Sequence, residues 1–73
     1  MPASLNSKHT NSKWYAYPEL GSYFKIQDGQ LLQLPMLVDG TPGAEEGAAE
    51  VDWDRIDDRE RLDAIREELL TKP

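Results

Sequence analysis

The residues that could carry out chemistry are few in this chain of 73 residues. It has one histidine, His9, and no cysteine. A zinc site needs several thiolate or imidazole ligands, so the composition excludes the common zinc sites. Nucleophilic catalysis needs a base held beside a hydroxyl or thiol group, and His9 lies in a polar N-terminal stretch with no evident partner. We therefore predict a protein that is not an enzyme and that has no cofactor or metal.

Carboxylates are the most abundant reactive groups, and four aspartates lie between Asp52 and Asp58. A calcium-binding EF-hand loop that began at Asp52 would need a polar residue at its fifth position, Gly at its sixth and Glu at its twelfth. The sequence has Ile56, Asp57 and Asp63 there, so the motif fails at all three positions. Two interpretations remain for these acids, a solvated surface or a binding face for a basic partner.

The charge is distributed unevenly along the chain. The net charge of the whole chain is −6, with +1 in residues 1–38 and −7 in residues 39–73. An acidic half repels nucleic acid and anionic lipid, so we predict neither as a partner. No apolar stretch reaches the roughly 20 residues of a membrane span, and the N-terminus lacks an apolar signal segment, which favours a cytoplasmic protein without membrane contact.

The aromatic residues Trp14, Tyr15 and Tyr17 form the second group of candidates. Such a cluster favours a short edge strand or an extended arm on the core, and Pro18 ends it. Tyr and Trp are also the usual anchors of protein interfaces, so a partner-binding role stays open beside a role in closing the core.

The clearest structural signal is a β-hairpin around Asp28-Gly29. A two-residue loop would place Phe24 and Ile26 on the opposite face from Leu32 and Leu34. A three-residue loop, which adds the preceding glutamine, places all four on one face. Since a shift by one residue moves every side chain to the other face, the hydrophobic pattern favours the three-residue loop.

The C-terminal half predicts one more strand and a helix. Residues 50–54 alternate between acids and the apolar Val51 and Trp53, which is typical of a half-buried strand. Leu62, Ile65 and Leu69 then form the apolar stripe of a helix, with Asp57 as its N-cap.

Two segments lack the apolar residues that order a chain. We predict a disordered N-terminal tail over residues 1–13 and a flexible loop rich in Gly, Pro and Glu over residues 39–48. The remaining residues, 14–72, form a single small domain.

The sequence therefore predicts an α+β fold, a small three-stranded antiparallel sheet (a β-hairpin plus a third strand) with one C-terminal helix packed on it. The predicted function is that of a small acidic adaptor or inhibitor that binds a larger protein with a basic surface. The predicted contact residues are Trp14, Tyr15, Tyr17, Glu50, Asp52, Asp54, Asp57, Asp58 and Glu60.

Two other functions remain open. The first is an inhibitor of the kind that phages and mobile elements encode, which mimics nucleic acid and blocks a basic DNA- or RNA-binding channel. The second is a self-associating structural subunit, a homodimer whose edge strand near Pro35 or Trp14 completes a sheet across a two-fold axis.

Overall fold

The computed structural model describes residues 9–73. They form an antiparallel sheet and one C-terminal helix, which confirms the predicted α+β class. The sheet has four strands in the order β1-β2-β3-β4, however, and not the predicted three. The elements are β1 (Tyr15–Tyr17), β2 (Ser22–Gln27), β3 (Gln30–Pro35), β4 (Ala49–Glu50) and α1 (Arg59–Leu70). The additional strand is β1, which contains two of the candidate aromatic residues.

The hairpin between β2 and β3 has a two-residue loop, so the predicted three-residue register is wrong. Ile26 pairs with Leu31, and the loop consists of Asp28 and Gly29 alone. Both loop residues have positive φ, 52° and 82°, as a type I′ turn requires. This turn twists in the same sense as the strands that it joins, and its two positive φ angles explain its preference for the Asp-Gly sequence.

The register prediction failed because it assumed that only one face of the sheet is buried. Phe24, Ile26 and Leu31 share the face on which α1 packs, together with the buried helical residues Ile65 and Leu69. Leu34 points to the other face and is equally buried, but it lies outside that core cluster. The segment after β3 folds back toward this second face, with an isolated bridge between Met36 and Pro42.

The position of Pro35 follows from the end of β3 and from the order of the strands in the sheet. Pro35 is the last residue of β3, and β3 lies between β2 and β4. A proline in a strand must lie at an open edge, at a bulge or at the end of the strand, and Pro35 takes the last of these positions, where its missing N–H breaks no ladder. The edges of the sheet are β1 and β4, so the strand that contains Pro35 is not available for pairing with a second copy.

Residues 9–13 contact the folded domain, although the sequence places them in the tail. Asn11 is only 1% exposed, and its Oδ1 accepts a hydrogen bond of 2.7 Å from the Ile26 N–H. Its Nδ2 donates to the Leu69 and Lys72 carbonyls, at 2.9 and 3.0 Å. Asn11 thus joins strand β2 to the C-terminal end of α1. The first eight residues of the predicted tail lie outside the described part of the chain.

His9 also contacts the end of the helix. Its Nε2 lies 2.7 Å from the Lys72 carbonyl oxygen. The same nitrogen lies 3.2 Å from the Asn11 Nδ2, so His9 and Asn11 meet at the C-terminal end of the helix. The histidine that the sequence leaves without a partner therefore binds the backbone near the end of the described chain.

The predicted third strand is much shorter than expected. β4 contains only Ala49 and Glu50, and Val51 continues the contact through a 3.0 Å hydrogen bond from its N–H to the Leu31 carbonyl. The chain then turns, because the Asp52 carboxylate accepts a hydrogen bond of 3.1 Å from the Asp54 N–H. Such Asx turns compete with regular strand pairing.

Helix α1 has the predicted apolar stripe, because Leu62, Ile65 and Leu69 are all buried. Its N-cap is Asp58 rather than the predicted Asp57, and no side chain caps its first N–H groups. Among residues 9–73 no helix has the length and apolar character needed to cross a membrane.

Candidate functional site

The negative charge of the protein is concentrated in one continuous segment, residues 45–60, which we call the acidic segment. It holds eight acidic residues and two arginines, a net charge of −6 that equals the charge of the whole chain. The remaining residues therefore sum to zero. The segment runs through the 3₁₀ turn Glu45–Gly47, edge strand β4 and the loop that leads into α1. This continuous stretch of the chain thus carries the entire net charge.

All six acids that the sequence predicts as contact residues lie in this segment and are exposed to solvent. They are Glu50, Asp52, Asp54, Asp57, Asp58 and Glu60. Within residues 9–73 only Asp52 among them forms an ion pair, a 3.8 Å contact with Arg55. No group of three His, Asp or Glu side chains in this part of the chain is arranged to hold a metal ion. In the described residues these acids are therefore exposed to solvent and are not gathered into a metal site.

Two of the four arginines, Arg61 and Arg66, pair with acids outside the acidic segment. Arg61 forms an ion pair with Glu19, which lies in the 3₁₀ turn Pro18–Leu20 between β1 and β2. That contact helps to hold the pKa of Glu19 below its usual value, after the larger effect of a backbone hydrogen bond. Arg66 pairs with Glu67 at 3.4 Å, and the guanidinium of Arg59 donates to the Trp53 carbonyl. Of the four arginines, only Arg55 pairs with an acid of the segment.

The three predicted aromatic residues do not form one surface. Tyr15 and Tyr17 are half-buried against the core on the helix side, where the Tyr17 and Phe24 rings meet edge to face at 5.6 Å. Trp14 precedes β1 and lies on the opposite face, beneath the Lys25 ammonium at 5.5 Å from the ring centre. The Trp14 indole N–H donates to Glu45 at 3.1 Å. Trp14 therefore borders the acidic segment, whereas the two tyrosines stabilise the fold.

Tyr17 is held by contacts inside the domain. Its hydroxyl donates to the Glu68 carboxylate at 2.8 Å, and the Arg61 guanidinium lies 5.8 Å from its ring centre. Burial, together with the hydrogen bond and the negative charge of Glu68, raises the pKa of Tyr17 to about 12. The Tyr17 hydroxyl is therefore engaged by the helix within the domain.

The structure shows one exposed feature that the sequence interpretation missed. After β3 the chain makes a tight turn, in which the Gly40 N–H donates to the Leu37 carbonyl at 2.9 Å. Leu37 is 51% exposed, and Val38 has 110% of the accessible surface of a reference valine. They are the exposed large hydrophobic residues of the described chain, and we call them the apolar tip. The signal in the sequence is an apolar pair placed directly before the turn residues Asp39-Gly40.

Comparison with models of known protein families, with curated proteins and with solved structures gives no match to this chain.

Proposed function

We propose that the protein is a non-catalytic binding module whose acidic segment docks on a basic surface of a larger protein. The observation that carries the proposal is that the whole net charge of −6 lies in residues 45–60 on exposed side chains. If the acidic side chains served only to keep the protein in solution, the negative charge would not need to be concentrated in one segment, because dispersed charges give the same solubility. Segregated charge speeds the encounter with an oppositely charged surface and orients the two molecules.

The proposal predicts that binding depends on where charge is removed. The triple variant Glu50→Gln, Asp54→Asn and Asp57→Asn removes three charges from the acidic segment. None of these side chains has an ion pair within residues 9–73, so the fold should tolerate the change. Exposed charge pairs contribute about 0.5 kcal/mol each, so the three together should weaken binding about tenfold.

A matched control removes the same charge from the rest of the molecule. Asp28→Asn, Asp63→Asn and Glu67→Gln are exposed positions outside the acidic segment. Asn is favoured in the turn at position 28, and the change at Glu67 removes only its exposed 3.4 Å contact with Arg66. The tagged full chain is used to capture partners from an extract of the source cells at about 0.1 M and about 1 M salt, where charges are screened within about 10 and 3 Å. Equal capture by both triple variants would contradict the proposal.

A second candidate is a nucleic-acid mimic that occupies a basic DNA- or RNA-binding channel. The observation that favours it is the placement of the arginines, since Arg61 and Arg66 pair with acids outside the segment and leave it strongly negative. This candidate predicts that duplex DNA or RNA displaces the captured partner, with displacement that weakens as salt is raised. If added nucleic acid does not change the amount of partner captured, the mimic is excluded and the adaptor function remains.

A further inference from the structure

The apolar tip is an anomaly in a domain of this composition. Turns favour Gly, Pro, Asn, Asp and Ser for their backbone conformations, yet in this turn Val38 is fully exposed and Leu37 is half exposed. A side chain that buries nothing adds nothing to the stability of the fold. The folding of the domain therefore does not explain a valine at this position.

The tip is held in a fixed shape by hydrogen bonds around it. The Leu37 N–H donates to the Thr41 carbonyl at 2.8 Å, and the Gly43 N–H donates to the Pro35 carbonyl at 3.0 Å. The Tyr23 hydroxyl reaches across from β2 to the Gly40 carbonyl. The two apolar side chains are thus presented on a preorganised turn, which lowers the entropy that binding must offset.

The charge beside the tip limits what can cover it. The Asp39 carboxylate lies within the turn, where it accepts hydrogen bonds from the Thr41 N–H at 3.1 Å and hydroxyl at 2.7 Å. Glu45 and Glu46, which begin the acidic segment, follow on the same loop. Two copies that met through their tips would bring these like charges together, and an anionic membrane would repel them. The complementary occupant is an apolar pocket with basic residues around it.

We propose that Leu37 and Val38 insert into an apolar pocket, bordered by Lys or Arg, on the same partner protein that the acidic segment binds. This inference rests on the proposed function and adds the central contact to it. Buried apolar anchors surrounded by polar contacts carry most of the affinity of protein interfaces, whereas charges at the rim set orientation and association rate.

The test uses the full chain with the photo-crosslinking residue benzoylphenylalanine at position 38, introduced into the source cells, with a control at the exposed helical position 67. We expect an adduct from position 38 alone, whose linked peptide on the other protein is apolar and lies beside Lys or Arg in that protein's structure. An adduct with a second copy of the chain, an adduct with lipid, or no adduct specific to position 38 would overturn the proposal.

The purified partner then gives an affinity for two further variants. Val38→Ser should weaken binding tenfold or more, as expected for a buried valine, while Val38→Ile should bind within about threefold of the original chain. Both should keep the original melting temperature, because Val38 is outside the core. If Val38→Ser binds normally while the triple acid variant binds weakly, the proposed role of the apolar tip in binding is refuted and the proposed function stands. If neither change affects binding, both are refuted.

Discussion

The substitution Asn11→Ala tests whether residues 9–13 belong to the folded domain. Asn11 satisfies the Ile26 N–H at 2.7 Å and donates to the carbonyls of Leu69 and Lys72. Alanine leaves the buried Ile26 N–H without a partner, at a cost of about 1–3 kcal/mol. The carbonyls keep other donors, the Lys72 N–H and His9, so their two lost bonds add only about 0.5–1 kcal/mol each. The expected total loss in the free energy of unfolding is about 2–5 kcal/mol.

That loss is a large share of the stability of so small a domain, which is on the order of 5 kcal/mol. Urea unfolding followed by tryptophan fluorescence should show it directly. With a slope of about 1 kcal/mol per M, the midpoint should fall by about 2–5 M, or the variant should be largely unfolded without urea. Ser12→Ala is the control, because its hydroxyl bond of 3.4 Å is weak and exposed. An Asn11→Ala midpoint within about 0.5 M of the original would refute the reasoning.

Three further predictions concern the sheet and the helix. Tyr17→Phe should remove part of the alkaline loss of stability, measured by urea unfolding between pH 9 and 12. Because the folded pKa is raised to about 12 from 10.0, the contribution of the phenol is complete below pH 10 and is lost as pH rises through 12. Solvent screening of this half-buried group reduces the effect to about 1 kcal/mol, and an unchanged pH profile would contradict the assignment. Gly29→Val, which places a β-branched residue at a φ of 82°, should cost about 2 kcal/mol in the same assay, whereas Asp28→Asn should be neutral because Asn-Gly suits this turn. Ile65→Ala should lower the free energy of unfolding by about 2–5 kcal/mol, because it leaves a cavity in the core. Ala64→Ser, on the exposed side of α1, should lower it by less than about 0.5 kcal/mol. Thermal unfolding followed by circular dichroism measures both.

The sequence predicts the α+β class and the apolar stripe of the helix because both follow from periodicity. It predicts the position of the hairpin for a similar reason, since Asp28-Gly29 carries a specific turn signal. The register could not be predicted by hydrophobic alternation, because Leu31 and Leu34 are buried on opposite faces of the sheet. The second face is covered by a loop whose composition looks like that of an exposed segment.

The polar N-terminal segment shows a different limit of sequence interpretation. Residues 9–13 contain no large apolar side chain, so a hydrophobic pattern cannot reveal that they pack. Asn11 is ordered by hydrogen bonds to backbone groups of Ile26 and Leu69, and those groups become adjacent only in the folded chain. The acids of the candidate site were easier to find, because exposure is the default for carboxylates. Whether the acids bind a partner remains a prediction.

The contacts of Asn11 and His9 also determine the order of events in folding. They join residues separated by 58 and 63 positions, and closing a ring of that length costs roughly 4 kcal/mol of chain entropy. We therefore predict that the hairpin and the packed helix form first and bring the two segments together. Contacts made after the transition state slow unfolding without hastening folding. The buried asparagine thus acts mainly on the lifetime of the native state, and its loss should appear as faster opening with an almost unchanged folding rate.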